Sequence, residues 1–496
     1  MNTKRVYVAV GLCAVVVYFG ALWNQFALDD NQIVAYNALV RRLSGVWQAF
    51  ASPYWPREIG GGMYRPLTLV SYAVDWQLGG AAWWFHAVNL AWHAGASVAV
   101  AWLVRRWSGD WAALAAGLLF AVHPLHVEAV ANVVGRAELM ATLFAILAVY
   151  AALGPDRVWW SAAAFAAGLL SKENAVVVPV LIAWGWIVGL ARPPRQRMAA
   201  YGATWLAVLA LYVIARASVL HQDVVVDRAA PVFYGASPVA VRLTAVAAFA
   251  DVTRLLLFPL RLRADYSPAE RTLVTTPLDP RLALGLLYTA AWGSLLWLAW
   301  RRGRRLEAFG LGWIAIAFFP VSNLAVQVGV LLAERTLYLP SVGLALAAGA
   351  WLQGLEPRRL AWALGVLAVA GGVRTAARVP VWHDQRTVVV SELQDSPRSF
   401  AGPAQMVVLD LAEHQPADAL ASFRKATALT DLKLPWLYAA GAEAAFATGQ
   451  AAVADSILDR LELACPRCTA YYRTAAAIAR IRGNAAAADS FLARAK

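Results

Sequence analysis

Residues 4–30 read KRVYVAVGLCAVVVYFGALWNQFALDD. Two basic residues precede an apolar run from Val6 to Trp23, and two aspartates, Asp29 and Asp30, follow just beyond the end of that run. A basic flank before an apolar stretch is also typical of a signal peptide, but the residues after Trp23 read NQF and offer no small-residue cleavage site. The sequence therefore predicts an uncleaved first membrane span, with acidic residues where the chain leaves the bilayer.

The composition favours a membrane protein over a soluble one. Hydrophobic residues make up 60% of the chain and charged residues 15%, whereas soluble domains are about half apolar and about a quarter charged. The 23 Trp and 16 Tyr suit the bilayer interface. The net charge of +13 comes from short Lys/Arg clusters between apolar segments, a pattern of membrane topology and not of nucleic-acid binding. Three cysteines are too few for a disulfide framework or a four-ligand zinc site.

About eleven apolar segments are long enough to approach the span of a bilayer core. They are 6–23, 83–104, 111–123, 138–154, 158–171, 175–190, 201–220, 281–300, 306–320, 334–352 and 360–377. The stretch 241–260 is also apolar but carries Asp251 and Arg254 at its centre. We assign it to the outer interface or a re-entrant turn, while a buried pair between these two residues would permit a span.

Basic residues fix the predicted orientation. With a cytoplasmic N-terminus, every connection on that side contains arginine: Arg105/Arg106, Arg157, Arg192/Arg195/Arg197, Arg301/Arg302/Arg304/Arg305 and Arg358/Arg359. We therefore predict a membrane domain over 1–377, with a first outer loop at about 24–82 and an outer or interfacial region at about 221–280. A soluble helical domain over 378–496 would then lie outside the cytoplasm.

The tail contains a short internal repeat. Gly449 and Gly483 lie 34 positions apart, and the same offset relates Tyr438 to Tyr472 and Asp455 to Asp489. This is the period of helical-hairpin tetratricopeptide repeats. Two to three such repeats are near the minimum that can bury a continuous core. Cys465 and Cys468 could form a local disulfide or remain inert thiols, and we attach no function to them.

Ionisable residues collect on the predicted outer side. Those outer residues are Asp29, Asp30, Arg65, His123, His126, Glu128, Arg136, Glu138, Lys172, Glu173, Asp265, Glu334 and Arg335, with Tyr338 close behind. In the second span, His86, Asn89 and His93 share one helical face. Charges drawn from five separate loops predict one polar site, provided that these loops converge in space.

Each of these motifs also has a plainer interpretation. The paired aspartates suit a general base or a helix cap in a solvated loop. The His123 to Glu128 cluster could bind a divalent metal, but two imidazoles and one carboxylate are a weak metal signal, so we favour hydrogen-bonding roles. The polar face of the second span could serve interhelical hydrogen bonding or line an aqueous cavity.

Eight short motifs, in order along residues 5–395, resemble one enzyme family. They are Phe26-Ala-Leu-Asp29-Asp30, Tyr64-Arg65-Pro66-Leu67, Phe85-His86 with Asn89 and His93, His123-Pro-Leu-His126-Val-Glu128, Gly135-Arg136-Ala, Leu170-Ser-Lys172-Glu173, Ala264-Asp265-Tyr266-Ser267 and Ala333-Glu334-Arg335-Thr-Leu-Tyr338-Leu-Pro340-Ser341. They are similar to motifs of the transmembrane and tetratricopeptide-repeat-containing O-mannosyltransferases. That resemblance implies an all-α, polytopic GT-C bundle of about eleven helices followed by the repeats.

The resemblance also implies a chemistry. The donor would be a sugar, mannose or a similar hexose, on a polyprenyl phosphate, and the acceptor a hydroxyl, in the family a protein Ser or Thr. Asp29 or Asp30 would be the base, and the other outer residues named above except Glu138, with His86, Asn89, His93 and Tyr338, would bind the donor phosphate or sugar. No cofactor or metal is expected, and the anomeric carbon would be inverted. The short repeat array departs from the family and weakens the prediction of a protein acceptor.

Three other functions stay open at this point. A non-catalytic membrane scaffold could present a peptide-binding repeat domain, although it leaves the carboxylates unexplained. A transporter would show inverted repeats or broken helices at the midplane, and neither is evident. An oligosaccharide or pentose transferase remains within the enzyme interpretation.

Overall fold

The computed structural model describes residues 2–57, 61–221, 230–266, 270–466 and 468–495. Parts of the predicted outer region 221–280, and Ser267 of one motif, lie outside these residues. The prediction of an all-helical chain is confirmed, since the residues described form α-helices and shorter helical turns without a β-strand. The chain divides into two compact units, Met1–Leu262 with Leu273–Thr387, and Arg263–Thr272 with Val388–Lys496.

The first unit is a bundle of helices. In chain order these are α1 (Thr3–Tyr18), α2 (Gly45–Gln48), α3 (Pro66–Leu78), α4 (Ala82–Arg105), α5 (Asp110–Ala121), α6 (Val127–Ala131), α7 (Arg136–Leu153), α8 (Val158–Ser171), α9 (Val178–Ile187), α10 (Arg195–Leu220), α11 (Pro238–Ala247), α12 (Phe249–Leu257), α13 (Pro280–Arg301), α14 (Arg305–Phe318), α15 (Tyr338–Leu352) and α16 (Pro357–Arg378). Each of the eleven predicted spans coincides with a helix of this list or with its greater part.

Among the residues described, six helices are long and apolar enough to cross a membrane, or seven if α5 and the following Pro124–Ala131, bent by 47°, count as one span. The chain is therefore a multi-pass membrane protein. The count of eleven stays a prediction, because α8 and the segment Glu173–Ile187 are apolar but short. The stretch 241–260, which carries Asp251 and Arg254, is divided between α11 and α12, of 10 and 9 residues. Neither helix is long enough to span a bilayer.

Helices α4 and α7 occupy the centre of the first unit. Within their most apolar windows, 56% of the residues of Ala82–Arg105 and 78% of those of Val133–Leu153 are buried, against 11% to 17% for α10, α13 and α16. The peripheral helices expose apolar side chains such as Leu211, Leu287 and Val369, as hydrocarbon-facing helices do. Polar side chains on α4 and α7 therefore lie inside protein, where a charge at membrane depth can find partners.

The second unit contains α17 (Gln385–Asp395) from Val388 onward, α18 (Ala401–Ala412), α19 (Pro416–Leu429), α20 (Pro435–Ala447), α21 (Ala451–Ala464), α22 (Thr469–Ile481) and α23 (Ala485–Arg494). The last six helices form three hairpins, and Gly449 and Gly483, both at φ +77°, occupy the left-handed position after α20 and α22. Phe423 and Tyr438 meet edge to face in the core. The assignment of these hairpins as tetratricopeptide repeats stays a prediction. The Cys465 and Cys468 thiols are free.

Helices α14 and α15 cross at two facing glycines. A Cβ at Gly310 would stand 2.5 Å from the Gly343 carbonyl oxygen, and a Cβ at Gly343 would stand 2.3 Å from the Gly310 carbonyl oxygen. Both distances are far below van der Waals contact, so only glycine permits this approach of two backbones. The pair matters for the site below because α15 directly follows Arg335.

We predict that Gly343→Ala destabilises the protein by about 1–3 kcal/mol, the usual cost of overpacking, because the two backbones must separate. Thermal unfolding in detergent would measure the change. Gly293→Ala on α13 is the matched control, since nothing lies within 4 Å of the added Cβ, and it should leave the unfolding midpoint equal or slightly higher. Equal midpoints for the two variants would contradict the close crossing.

Candidate active site

Asp30 ties the first outer loop to the start of α7. The carboxylate is fully buried and accepts three backbone hydrogen bonds, from Ala27 at 3.3 Å, from Val133 at 3.2 Å and from Val134 at 2.7 Å. Burial raises the pKa of Asp30 to about 7, although the three amides lower it. Its oxygens are thus occupied by the backbone, and the geometry gives Asp30 a structural role.

Asp29, its neighbour, differs from Asp30 in exposure and in hydrogen bonding. Its side chain is half-buried, and among the residues described it accepts no hydrogen bond and forms no ion pair. Burial raises the pKa of its carboxyl above the ordinary value, while the nearby Arg335 and Arg65 guanidinium groups lower it. Of the two aspartates, Asp29 is the one with a free carboxylate in reach of a ligand.

Arg335 faces Asp29 from the turn before α15. Its guanidinium forms an ion pair with Glu128, and its backbone N–H donates to the second Glu128 oxygen at 2.8 Å. Glu128 is 1% exposed, whereas 31% of the Arg335 side chain is exposed. Glu128 therefore fixes the orientation of the arginine, while part of the Arg335 side chain stays accessible.

Two further ion pairs complete the charged site. Arg65 binds Glu173 through two parallel bonds, Nε to Oε2 at 2.9 Å and Nη2 to Oε1 at 2.6 Å. Lys172 pairs with Glu138, whose other oxygen accepts from Asn174 Nδ2 at 3.0 Å. These bonds fix the loop before α3, which carries Arg65, and the turn after α8, which carries Lys172. Charge-assisted hydrogen bonds of this kind are among the strongest hydrogen bonds in proteins.

Arg136 lies deeper, with its side chain fully buried on α7. It pairs with Asp75, donates from Nε to Asn89 Oδ1 at 2.8 Å and from Nη2 to the Phe85 carbonyl at 2.9 Å, and stacks over the Tyr72 ring. Its donors are thus engaged by protein groups. We infer that Arg136 holds α3, α4 and α7 together and is not a ligand of the donor, contrary to the role suggested by the sequence motif.

Asn89 and the histidines have mostly structural partners. Asn89 Nδ2 reaches the carbonyls of Asn132 and Val133, at 3.1 and 3.3 Å. His93 Nε2 lies 3.1 Å from the Ala121 carbonyl and Nδ1 lies 2.8 Å from the Tyr338 hydroxyl. Because a carbonyl only accepts, Nε2 carries the hydrogen and Nδ1 accepts from the tyrosine.

The other three imidazoles also meet protein groups. His123 Nε2 lies 2.9 Å from the Leu256 carbonyl, His126 Nε2 lies 2.7 Å from Ser341 Oγ, and His86 Nε2 lies 3.4 Å from the Gln25 carbonyl. Within the described ranges, no group of three His, Cys, Asp or Glu side chains is arranged to hold a metal ion. The contacts of the His123 and His126 nitrogens support the hydrogen-bonding interpretation of the histidine motif.

The predicted convergence of the outer loops holds within the first unit. Asp29 interacts electrostatically with Arg335 and Arg65, and Arg335 with Glu138. Three ion pairs and one unpaired carboxylate therefore occupy one region. Glu334 is buried beside Arg335.

Asp265, by contrast, belongs to the second unit, where its carboxylate accepts from Ser399 Oγ at 2.6 Å. We therefore leave Asp265 out of the candidate site.

Three residues around the site were missed in the sequence. Asp75 is the buried partner of Arg136, and Gln385 binds the loop that carries Asp29. Arg374 donates to the Leu260 carbonyl at 3.0 Å and lines a cavity. An acid within the apolar residues 66–78 and an arginine within the apolar residues 360–377 were available signals, because isolated charges in such stretches need a reason. Nothing in the sequence marked Gln385.

An apolar cavity of about 380 Å³ adjoins the histidine cluster. One wall is formed by His123, His126 and Ser341, and the rest includes Leu256, Ala348 and Leu367. Arg374 also lines the cavity. The cavity therefore combines a mostly apolar lining with imidazole and guanidinium groups at its wall.

The chain is similar to protein O-mannosyl-transferases of the TMTC group, so the resemblance drawn from the motifs is confirmed. Human protein O-mannosyl-transferase TMTC3 is 27% identical, over 79% of this chain and 48% of the relative. Human TMTC4 is also 27% identical, over 78% of this chain and 61% of the relative. Drosophila melanogaster Tmtc2 is 36% identical over 34% of this chain and 20% of the relative. The chain spans about half the length of the curated relatives that it matches.

No family model matches the chain. Among solved structures, ArnT from Cupriavidus metallidurans bound to undecaprenyl phosphate has a TM-score of 0.41 and 15% identity, over 92% of this chain and 80% of that one. The archaeal oligosaccharyltransferase AglB from Archaeoglobus fulgidus, in complex with an inhibitory peptide and a dolichol-phosphate, has a TM-score of 0.39 and 14% identity, over 82% and 58%.

We predict that Asp30 makes folding stability fall as the pH rises from about 4 to about 7. In the unfolded chain the Asp30 carboxyl loses its proton near its ordinary pKa of about 3.9, while in the folded protein it keeps the proton to about pH 7. Between these pH values, ionisation therefore stabilises the unfolded state relative to the folded one. Relative to Asp30→Asn, the wild-type unfolding midpoint should therefore decline across this range and stay level above it.

Asp279→Asn is the control for this measurement. The pKa of Asp279 is lowered by the hydrogen bond from Arg281, so the wild type and this variant should differ by a constant amount between pH 4.5 and 8.5. Parallel pH curves for wild type and Asp30→Asn would show that the Asp30 carboxyl does not hold its proton in the folded protein.

Proposed function

We propose that this protein is a membrane glycosyltransferase that moves a hexose from a polyprenyl phosphate to a hydroxyl acceptor. One observation carries the proposal. An unpaired, half-buried carboxylate at Asp29 interacts electrostatically with Arg335, whose side chain is partly exposed. The first can take a proton from an acceptor and the second can bind the phosphate that leaves.

The reaction follows as a single displacement. The acceptor hydroxyl oxygen attacks the anomeric carbon, Asp29 takes the hydroxyl proton, and the bond between that carbon and the phosphate oxygen breaks. A base whose pKa is raised toward the working pH is the stronger proton acceptor. One displacement inverts the anomeric carbon.

The leaving phosphate gathers negative charge, which preorganised cations stabilise. Arg335 suits this role because Glu128 fixes its orientation and part of its side chain stays exposed. Arg65 and Lys172 are about nine-tenths buried behind their own carboxylates, so we assign them to the field around the phosphate and not to direct contact. With these cations supplying positive charge, we propose a reaction that needs no divalent metal.

The apolar cavity supports a lipid-linked donor. A prenyl chain is hydrocarbon, and burial of its surface contributes about 25 cal/mol per Å². Arg374 lines the same cavity, so a phosphate at its edge would meet a positive charge. We assign the cavity of about 380 Å³ to the first isoprene units of the carrier.

The names of the relatives support a choice of sugar and acceptor. Those relatives are named protein O-mannosyl-transferases, so we propose mannose as the sugar and a protein Ser or Thr as the acceptor. The three helical hairpins of the second unit offer a peptide-binding surface of the kind that repeat arrays use. We further propose that the N-terminus is cytoplasmic and that the site and the hairpins lie on the opposite side of the membrane. The reason is that the arginine-rich connections alternate along the chain with the connections that carry the candidate site residues.

We predict that Asp29→Asn abolishes transfer while the protein stays folded. Loss of a general base costs roughly 10²–10⁴-fold in rate, and asparagine keeps the shape of the side chain. Purified protein would be incubated with mannosyl polyprenyl phosphate and a Ser/Thr peptide, and product measured by mass spectrometry. Asp30→Asn is the control, which should retain more activity than Asp29→Asn because the Asp30 oxygens bind the backbone.

The pH dependence gives a second reading of the same group. The transfer rate should fall as the pH is lowered and Asp29 becomes protonated. The apparent pKa of this acid limb should lie above the ordinary carboxyl value. In Arg335→Gln this acid limb should move to higher pH, because a cation that lowers the pKa of Asp29 is removed. Full transfer by a folded Asp29→Asn protein would show that Asp29 is not the base, whereas absence of transfer by wild type with every prenyl donor would favour the non-catalytic scaffold.

We predict that Ala348→Trp weakens use of the lipid donor. The indole would fill the cavity that Ala348 lines, so the KM for the prenyl donor should rise by about tenfold, the equivalent of about 1.4 kcal/mol, with kcat little changed. Ala361→Trp, at an exposed position of α16, is the matched control and should behave as wild type. An unchanged KM in Ala348→Trp would remove the cavity from the donor site.

A further inference from the structure

The loop that carries Asp29 is held by a segment more than 350 residues away in sequence. The Leu28 N–H donates to Gln385 Oε1 at 2.6 Å, and Asn31 Nδ2 donates to the same oxygen at 3.3 Å. Close by, the Gln25 N–H donates to the His383 carbonyl at 2.6 Å. One side-chain oxygen therefore bridges the residue before Asp29 and the residue two positions after it.

Leu28 has an unusual backbone conformation. Its φ of +51° lies in the left-handed region, which is unfavourable for a residue with a Cβ. Such a conformation persists only where the surroundings hold it, and such sites are often functional. The peptide that Leu28 orients leads directly to Asp29, so this dihedral angle sets the direction of the Asp29 side chain.

Gln385 is itself fixed in place. It is the first residue of α17 and stands inside a reciprocal cap, in which Asp384 Oδ1 accepts from the Thr387 N–H at 2.8 Å and Thr387 Oγ1 accepts from the Asp384 N–H at 3.0 Å. This arrangement is a capping box, with threonine as the second partner, and it fixes the first turn of a helix. The amide of Gln385 thus reaches Leu28 from a rigid base.

The backbone on each side of Asp29 is consequently fixed by hydrogen bonds, and none of these bonds involves the Asp29 carboxylate. Gln385 binds the backbone on its N-terminal side, and the Asp30 carboxylate binds the Val133 and Val134 amides on its C-terminal side. Because the neighbours supply the rigidity, the Asp29 carboxylate needs no partner of its own. It can stay oriented and unoccupied, as a proton acceptor must be.

We propose that Gln385 is a positioning residue for Asp29: by its hydrogen bond to Leu28 it keeps the left-handed backbone that aims the Asp29 carboxylate at the acceptor. The inference rests on the proposed function. It adds a residue from the far end of the membrane unit to a site that the motifs confined to the outer loops. A displacement of about 1 Å at a reacting group can cost about 10²-fold in rate.

The test compares Gln385→Leu, Gln385→Glu and wild type in the full chain. Leucine keeps the size but loses the acceptor oxygen, so kcat should fall about 10- to 100-fold, while the KM for the lipid donor changes less than threefold. Glutamate keeps an acceptor for Leu28 and Asn31, so kcat should stay within about fivefold of wild type, and the acid limb should move to higher pH because of the added negative charge.

A change at Leu28 tests the backbone step. Asparagine tolerates the left-handed region better than leucine does, so Leu28→Asn in the Gln385→Leu background should recover several-fold of the lost kcat. Hydrogen exchange provides a reading without activity, since the Leu28 amide should exchange faster in Gln385→Leu while the Val133 and Val134 amides stay as in wild type. Gln353→Leu, at an exposed glutamine of the same unit, is the control for all readings.

The outcomes separate the two proposals. If wild type transfers and Asp29→Asn does not, but Gln385→Leu has normal kcat, then Gln385 does not position the base and the proposed function stands. A lowered kcat that Leu28→Asn fails to restore, with general loss of thermal stability, would reduce Gln385 to a structural residue. Absence of transfer by wild type with every prenyl donor would overturn the proposed function and this inference with it.

Discussion

The arrangement of the membrane unit depends on the compensation of buried charge. A carboxylate or a cation at the centre of an apolar bundle costs several kcal/mol unless a partner offsets it. The structure meets this constraint with pairs that join distant parts of the chain, among them Glu128 with Arg335, Glu138 with Lys172 and Asp75 with Arg136. Removing one partner would leave the other buried and unpaired, so these pairs set which loops can lie together.

Asp29 is the exception, and its setting explains how the exception is stable. It keeps part of its surface exposed and faces Arg335 and Arg65 without bonding to either. The field of the two cations offsets part of the desolvation cost, and the backbone on each side is held by other groups. A carboxylate in this state has an incompletely solvated charge and open lone pairs, and both properties favour the uptake of a proton.

Much of the fold could be predicted because helices and spans are local properties. Apolar length located the helices that match the eleven predicted spans but missed α3, which lies in the predicted first outer loop. The alternation of arginine-rich connections with the others placed Glu128, Lys172 and Arg335 on one predicted side before their contacts were known. The partners of these charges could not be predicted, because pairing is a tertiary property. Neither could the difference between Asp29 and Asp30, which depends on which of the two meets the Val133 and Val134 amides.

The misassigned residues have the same physical cause. Arg136 matches a motif but lies inside the bundle, where its donors are bound by Asp75, Asn89 and Phe85. Asp265 matches a motif but falls in the segment Arg263–Thr272 of the second unit. A motif fixes the type of residue and its neighbours in sequence, whereas access to a ligand depends on what the rest of the chain leaves unoccupied. By that criterion the proposed site narrows to Asp29 and Arg335, and we assign the remaining charges to orienting these two residues and to the field around them.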